Sequence, residues 1–325
     1  MGSGPSIPDV SVPRDRVVVV TGGNTGLGYE AAKHIAMMGA TVIIACRSEQ
    51  RAMEAIERMN KEFREAKERG EKNIIQDDKL NVEFMLLDLA SLKSTMNFIA
   101  MFKSSGRKLH VLLCNAGVGL VVRGYTEDGY EMHFQVNYLG HFLLVAHLLP
   151  IMKQSGDDCR IVFVSSSAHE YGNFNLEKAQ AKIETDYSRM KYYGNSKMYQ
   201  IQHMSCLVRR LQDSNVSVTC LHPGIVATEI NRNYSDMRCF HGMIRCMNNT
   251  GCFKSSYQGA ITLIDAAVNP KWKGVNDVYF VKTKPAATAS AARNKQYQED
   301  LWKYSLHCLQ DYLSDDVISA LEGLK

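Results

Sequence analysis

The chain has 325 residues, of which 45% are hydrophobic and 22% charged, and its formal net charge at pH 7 is +4. This composition is ordinary for a soluble protein with a core, and so small a net charge argues against nucleic acid as a partner. Nine cysteines at irregular spacings, without a recognisable secretory signal, predict reduced thiols in a cytoplasmic protein. No apolar run reaches the roughly 20 residues that span a bilayer.

Short apolar runs alternate with stretches of helical spacing along the chain. Seven runs are predicted strands: 16–20, 41–46, 82–87, 109–114, 160–164, 216–221 and 278–281. Apolar strands that alternate with helices are typical of a parallel sheet covered on both faces. The sequence therefore predicts an α/β protein with a single doubly wound Rossmann domain and a parallel sheet of about seven strands. This domain is expected to span 16–325, after a flexible N-terminal tail at 1–15.

A glycine-rich turn follows the first predicted strand and reads Thr21-Gly22-Gly23-Asn24-Thr25-Gly26-Leu27-Gly28. Glycines let the backbone approach a pyrophosphate closely, and the N-terminus of the next helix attracts the anion. The spacing G-x-x-x-G-x-G differs from the commoner G-x-G-x-x-G, and a turn without a ligand is the alternative interpretation. We predict that a dinucleotide contacts Gly22, Asn24, Thr25, Gly26, Leu27 and Gly28.

The end of the second predicted strand carries the signal for the type of dinucleotide. NAD-preferring sites usually place an acidic residue there to bind the ribose 2′-hydroxyl. Here Cys46 is followed by Arg47 and Ser48, and a guanidinium pairs well with a 2′-phosphate. The sequence thus predicts NADP(H) as cofactor, with Arg47 and Ser48 among its contacts. A solvent-facing arginine at a strand end is the alternative.

Six further motifs follow in chain order: Asp88-Leu89, Cys114-Asn115-Ala116-Gly117, Asn137 within Val136-Asn137-Tyr138-Leu139-Gly140, Val164-Ser165-Ser166-Ser167, Tyr193-Gly194-Asn195-Ser196-Lys197, and His222-Pro223-Gly224 followed by Thr228. From about residue 16 to residue 281 the chain thereby resembles the short-chain dehydrogenase/reductase family, with its N-N-A-G, Y-x-x-S-K and P-G-x-x-x-T elements. Cys114 replaces the first Asn of N-N-A-G. Within the family, segments 86–91 and 133–144 are most similar to the retinol dehydrogenase branch and to a polyprenol dehydrogenase.

The resemblance implies a nicotinamide-dependent oxidoreductase with Asn137, Ser166, Tyr193 and Lys197 as its catalytic residues. Tyr193 would donate a proton, Lys197 would lower the pKa of that phenol, and Ser166 would bind the substrate oxygen. Asn137 would hold a water that links Lys197 to solvent. The implied cofactor contacts are Asp88, Leu89, Asn115, Ala116, Gly117, Tyr193, Lys197, Pro223, Gly224 and Thr228. The resemblance also implies that two copies pair through the helices that carry Asn137 and Tyr193.

The spacing Tyr-x-x-x-Lys alone does not single out the catalytic pair. Three pairs show it: Tyr29/Lys33, Tyr187/Lys191 and Tyr193/Lys197. Residues four apart share one face of a helix. The first pair is expected to face solvent or packing, and the second follows a polar loop. Only Tyr193/Lys197 opens a helix with an apolar stripe, so it is the predicted pair. Ser165 and Ser167 are the alternatives to Ser166.

Residues 229–254 lack a strand pattern and precede the last predicted strand, where we expect a small substrate lid. The potential zinc ligands of the lid fit no structural-site spacing, so no metal is predicted: Cys239, His241, Cys246 and Cys252. Phe240, Met243, Ile244 and Met247 recur at helical spacing near two arginines, and Gly2 fits the N-myristoylation pattern. A disordered tail or an expression remnant is the alternative interpretation of the N-terminus. The lid therefore predicts peripheral contact with an anionic membrane.

These features together predict an NADP(H)-dependent oxidoreductase that interconverts an apolar aldehyde or ketone and its alcohol, such as a retinoid or an isoprenoid. One alternative is an NAD-dependent alcohol or steroid dehydrogenase of the same fold. A catalytically idle NADP-binding regulator is another, although it would have no need of all four catalytic residues. A sugar-nucleotide epimerase would be expected to have a larger C-terminal domain.

Overall fold

The computed structural model of the protein describes residues 6–182, 187–211, 213–226 and 254–322. A sheet of eight strands forms the centre of this described chain. The strands are β1 (Val17–Thr21), β2 (Thr41–Cys46), β3 (Val82–Leu86), β4 (Val111–Cys114), β5 (Cys159–Val164), β6 (Val216–His222), β7 (Val278–Val281) and β8 (Lys284–Ala286). Their order across the sheet is β3-β2-β1-β4-β5-β6-β7-β8.

The predicted doubly wound parallel sheet is confirmed. All seven predicted strands are present, and every pairing among them is parallel. The eighth strand, β8, was not predicted and runs antiparallel to β7. It is three exposed residues long and contains Pro285, a residue that sheets tolerate at their edges. Such a strand has no hydrophobic periodicity by which the sequence could have revealed it.

Helices cover both faces of the sheet. They are α1 (Gly26–Met37), α2 (Glu49–Glu68), α3 (Leu92–Ser104), α4 (Met132–Lys153), α5 (Arg189–Arg210), α6 (Ser256–Val268), α7 (Ser290–Arg293), α8 (Lys295–Cys308) and α9 (Asp315–Glu322). Helices α1, α2 and α6 share one hydrophobic core, and α3, α4, α5, α8 and α9 share the other. Alternate residues of β1 enter the two cores, Val17 and Val19 on one side, Val18 and Val20 on the other. This double burial explains the unbroken run of valines.

Helix α4 is apolar and long enough to cross a membrane by length and composition alone. However, 89% of its most apolar window is buried inside the protein, as expected for a core helix. Residues Gln135–Leu139 form a π-helical turn within it. Such turns interrupt the regular ladder of an α-helix and frequently lie at functional sites. This one carries Asn137.

The C-terminal helices cover the outer side of α4 and α5. Trp302 of α8 is buried with its ring 5.0 Å from that of Phe142 in α4, and Arg210 of α5 forms ion pairs with Glu299 and Glu322. This is the face through which the resemblance predicts that two copies pair, and that pairing stays a prediction. At the other end of the chain, Val12 is buried and donates its N–H to Met38. Packing thus begins inside the segment predicted to be a tail.

Candidate active site

The glycine-rich turn forms a cradle at the N-terminus of α1. Gly22 and Gly26 have φ angles of +67° and +58°, and a Cβ atom on Gly28 would lie 2.3 Å from the carbonyl oxygen of Gly22. These positions require glycine. In the described chain the N-cap Thr25 makes no side-chain capping bond, and the first turn of α1 holds no acidic residue. The N–H groups of this turn are therefore oriented for an anion, and the residues fit a pyrophosphate.

A pocket runs from this cradle along the carboxyl ends of β1, β2 and β4. Twelve of the predicted cofactor contacts line it: Gly22, Asn24, Thr25, Gly26, Leu27, Arg47, Ser48, Asp88, Leu89, Asn115, Ala116 and Gly117. Gly28 lies behind the turn, where it lets α1 approach Gly22. Arg51 also lines the pocket and was missed by the sequence analysis. Its signal was available, because it lies four residues after Arg47 in the first turn of α2.

Thr21, the last residue of β1, holds the loop after β4 in place. Its Oγ1 accepts hydrogen bonds from the main-chain N–H groups of Asn115 and Ala116, both at 2.9 Å. The side chain of Asn115 donates to the Thr21 carbonyl at 2.8 Å. Next in this loop, Gly117 approaches the catalytic helices, since a Cβ there would lie 2.9 Å from Asn137 Oδ1. Thr21 therefore links the pocket wall to the predicted catalytic residues.

The serines after β5 have different surroundings. Ser165 is buried and its Oγ donates to the carbonyl of Lys197 at 2.7 Å, a structural role. Ser166 is half-buried and its Oγ accepts from the Ala168 N–H. The carbonyl of Ser166 accepts from Nδ1 of His169, whose Nε2 accepts from the N–H of Ala289. His169, another residue missed by the sequence analysis, thus fixes Ser166 against the C-terminal segment.

Tyr193 and Lys197 share the first turns of α5. Lys197 is buried, and its Nζ donates to the Val164 carbonyl at 2.8 Å. Burial lowers the pKa of Lys197 to about 8, since an apolar environment disfavours the ammonium. The same Nζ lies 5.7 Å from the centroid of the half-buried Tyr193 ring. A cation at this distance favours the phenolate form of Tyr193.

The other two tyrosine–lysine pairs face carboxylates. The Tyr187 hydroxyl donates to Glu131 at 2.7 Å, and burial together with the Glu131 charge raises the pKa of Tyr187. The Tyr29 hydroxyl donates to Glu62 at 2.9 Å, and burial raises the pKa of Tyr29. A carboxylate opposes ionisation of a phenol, whereas Lys197 promotes it. The surroundings of Tyr193 therefore suit acid–base chemistry better than those of the other two tyrosines.

The side chain of Asn137 ties α4 to the loop after β4 and to α5. Its Oδ1 accepts from the Val118 N–H at 2.7 Å, and its Nδ2 donates to the Val118 carbonyl at 3.1 Å and to Ser196 Oγ at 2.9 Å. Ser196 in turn donates to the carbonyl of Tyr193. Asn137 is fully buried, so its amide positions neighbouring elements.

A family model of the short chain dehydrogenases matches residues 16–238. The chain belongs to this family. The resemblance predicted from the motifs is therefore confirmed, and the protein is an oxidoreductase of the family that acts on CH–OH groups with a nicotinamide cofactor.

Relatives of this dehydrogenase include enzymes of the predicted branch. Human polyprenol dehydrogenase is 35% identical over 296 residues, covering 90% of this chain and 84% of its own. Human retinol dehydrogenase 14 is 36% identical over 298 residues, with coverages of 91% and 87%. Human WW domain-containing oxidoreductase is 35% identical over 305 residues, with coverages of 92% and 69%.

Solved structures share the fold of the dehydrogenase. An uncharacterized protein from Mycobacterium paratuberculosis superposes with a TM-score of 0.71 at 28% identity, over 95% of this chain and 98% of that one. The NADP complex of Pseudomonas aeruginosa RhlG gives a TM-score of 0.61 at 20% identity, over 85% and 97% of the two chains.

The remaining predicted cofactor contacts follow β6, and only part of them is described. Pro223 and Gly224 are described, and Lys254 Nζ donates to the Pro223 carbonyl at 3.2 Å. Thr228, nearly all of the predicted lid, its candidate zinc ligands and its apolar repeat fall within residues 227–253, and Gly2 lies before residue 6. These positions are outside the described chain.

Proposed function

We propose that this dehydrogenase interconverts an apolar aldehyde or ketone and its alcohol with NADP(H). The observation that carries the proposal is the Tyr193–Lys197 pair. Neither residue lines the dinucleotide pocket itself, but Lys197 Nζ would lie 3.6 Å from a Cβ atom on Gly117, which does line it. At 5.7 Å and an effective dielectric of about 20, the Lys197 cation stabilises a Tyr193 phenolate by about 3 kcal/mol before desolvation opposes it. Such a phenol can exchange protons with an alkoxide near neutral pH.

Each catalytic residue has a distinct role in the proposal. NADPH, when bound, supplies the hydride for carbonyl reduction. Tyr193 donates the proton to the carbonyl oxygen, and Ser166 donates a hydrogen bond that stabilises the developing negative charge. Lys197 places a positive charge beside Tyr193, which favours its phenolate form. Asn137 holds α4, α5 and the loop after β4 in register, through the bonds described above.

Two arginines, one directly after β2 and one in the first turn of α2, support NADP(H) over NAD(H). Arg47 and Arg51 lie on the rim of the pocket beside Ser48, and the residue after β2 is not acidic. Two guanidinium groups suit a 2′-phosphate. Arg47 is exposed, so solvent screens part of its contribution.

The substrate class rests on the relatives and on the apolar inner end of the pocket. The names of two relatives state that they act on polyprenol and on retinol. Val118, Met132 and Val136 line the pocket near Gly117, and apolar side chains there suit a hydrocarbon substrate. The proposal includes a cytoplasmic protein whose lid contacts a membrane peripherally, argued from the sequence of residues 238–247.

An activity screen tests the proposal. All-trans-retinal, isoprenoid aldehydes and steroid ketones are offered with NADPH and with NADH, and reduction of a retinoid or isoprenoid aldehyde with NADPH is expected. Tyr193→Phe should lower turnover at least about 100-fold while cofactor binding survives. Tyr192→Phe is the matched control, because the hydroxyl of Tyr192 donates to the carbonyl of Lys178 instead. Near-normal activity of Tyr193→Phe would overturn the assignment, and a preference for steroids with NADH would favour the alternative enzyme.

A further inference from the structure

Gln200 makes contacts that the proposed mechanism does not use. It lies three residues after Lys197 on α5 and is 1% exposed. Its Oε1 accepts a hydrogen bond from Lys197 Nζ at 3.4 Å, and its Nε2 donates to the main-chain carbonyl of Asn137 at 2.8 Å. The partners settle which end of the amide is which, because an ammonium only donates and a carbonyl only accepts.

A second donor reaches the same carbonyl. His141 Nδ1 lies 3.2 Å from the Asn137 oxygen, and His141 Nε2 lies 2.9 Å from Thr21 Oγ1. Thr21 Oγ1 already accepts two main-chain N–H groups, so it donates its own proton, and His141 Nε2 at 2.9 Å is a nearer acceptor than the Leu113 carbonyl at 3.4 Å. Nδ1 of His141 therefore carries the ring proton and donates it to Asn137.

The carbonyl of Asn137 is thus occupied by protein groups. A carbonyl oxygen has two lone pairs, and here two side chains, Gln200 and His141, direct donors at it. The family resemblance places a water on Asn137, in a relay that leads from Lys197 to solvent. In this chain the Gln200 amide spans the gap between Lys197 and the Asn137 carbonyl directly.

We propose that Gln200 is a positioning residue that takes the place of this water and joins Lys197 to the π-helical turn of α4. The inference rests on the proposed function, because it assigns Gln200 through the role of Lys197. An amide hands on no proton without changing its tautomer. In each reduction the Tyr193 phenol loses one proton to the substrate oxygen and regains one from solvent.

Replacing the amide by a carboxylate tests this contact. Gln200→Glu places an anion on the Lys197 ammonium with almost no change in shape. The anion raises the pKa of Lys197 and offsets its effect on Tyr193, so the pKa of both groups rises. The alkaline limb, meaning the fall in the rate of carbonyl reduction by NADPH at high pH, should therefore move up by about 1 pH unit. At a pH on the wild-type limb, the variant should retain a fraction of its maximal rate about tenfold higher than wild type does. Gln200→Leu, which removes both bonds, should lower kcat several-fold.

Gln202→Glu is the matched control. Gln202 is equally buried on the same helix, but its Nε2 donates to the carbonyl of Ala291. A carboxylate there has no contact with Lys197 and should leave the alkaline limb in place. A structural role of Gln200 alone would lower the rate at every pH without moving the limb. The proposal is overturned if the limb of Gln200→Glu coincides with those of wild type and Gln202→Glu.

A measurement without turnover separates this proposal from the proposed function. The pKa of Lys197 is about 8 in the folded protein and 10.5 when unperturbed, so the unfolded chain binds more protons between these values. Folding stability therefore gains from Lys197 as the pH rises from 8 to 10.5. Gln200→Glu should lose this gain in Tm, whereas Gln200→Leu, which adds no titratable group and leaves Lys197 buried, should keep it. If no carbonyl is reduced, the proposed function fails but this curve still decides the contact. Parallel curves for wild type and Gln200→Glu would refute it.

Discussion

Removing the charge of Lys197 should shift the pKa of Tyr193 by a predictable amount. Lys197→Met keeps the length of the side chain and removes an ammonium that lies 5.7 Å from the Tyr193 ring centroid. The lost stabilisation of phenolate, about 3 kcal/mol at an effective dielectric of about 20, equals about 2 pKa units. Alcohol oxidation requires Tyr193 as a base. Its rate below the pKa should therefore fall about 100-fold at pH 7 and recover at higher pH.

The assay is the pH dependence of kcat for alcohol oxidation at saturating NADP, which removes any loss of cofactor affinity from the comparison. Lys197→Arg is the control, because it keeps the positive charge while altering the donor to the Val164 carbonyl. Its apparent pKa should stay within about half a unit of wild type, although its kcat falls. The electrostatic argument is refuted if Lys197→Met retains the wild-type apparent pKa, whatever its maximal rate.

Three further predictions concern the cofactor, the core and the membrane. Wild type should bind NADPH about tenfold or more tightly than NADH, and Arg47→Asp should make the two affinities equal. The preference of Arg51→Ala should lie between these two. Equal affinity of wild type for NADH and NADPH would contradict this prediction. In the described chain both ring nitrogens of the buried His203 lack a hydrogen-bond partner, and burial lowers the pKa of His203 to about 3. The unfolded chain therefore binds an extra proton below about pH 6.5, which costs folding stability on acidification. His203→Leu should thus gain about 1 kcal/mol in urea unfolding at pH 7 and more at pH 5, and an equal or lower stability would count against it. Unmodified protein should co-sediment with anionic vesicles at low salt, and the double variant Phe240→Ser, Met247→Ser should do so less. If wild type stays in the supernatant, the proposed contact of the lid with a membrane is wrong.

The sequence predicted those elements whose signal is local. Strands such as 216–221 are continuous apolar runs because both of their faces are buried, and the motif around Tyr193 stands in one helix. β8 has no such pattern. The π-helical turn of α4 looks like any apolar helical stretch, since its altered hydrogen bonding changes the backbone and leaves the composition unmarked.

The supporting residues of the site were missed for a topological reason. Thr21, His169 and Gln200 come from β1, from the turn after β5 and from α5, and each has an ordinary side chain in an ordinary setting. They serve one site because the carboxyl ends of β1, β4 and β5 lie side by side in the sheet. Partners such as the carbonyls of Asn137 and Ser166 are main-chain atoms, which leave no trace in the residue types.

The cover that α8 and α9 form over α4 and α5 bears on shortened versions of this protein. A chain that stops near residue 294 would keep every residue of the catalytic motif. It would lose Trp302, whose ring packs edge-on against the rings of Phe142 and His203 and whose Nε1 donates to Glu322 at 2.6 Å. Truncating a buried tryptophan in a core costs about 3–5 kcal/mol, and here the whole helix goes with it. A shortened chain with an intact motif is accordingly expected to fold poorly, so the catalytic motif by itself does not guarantee a stable enzyme.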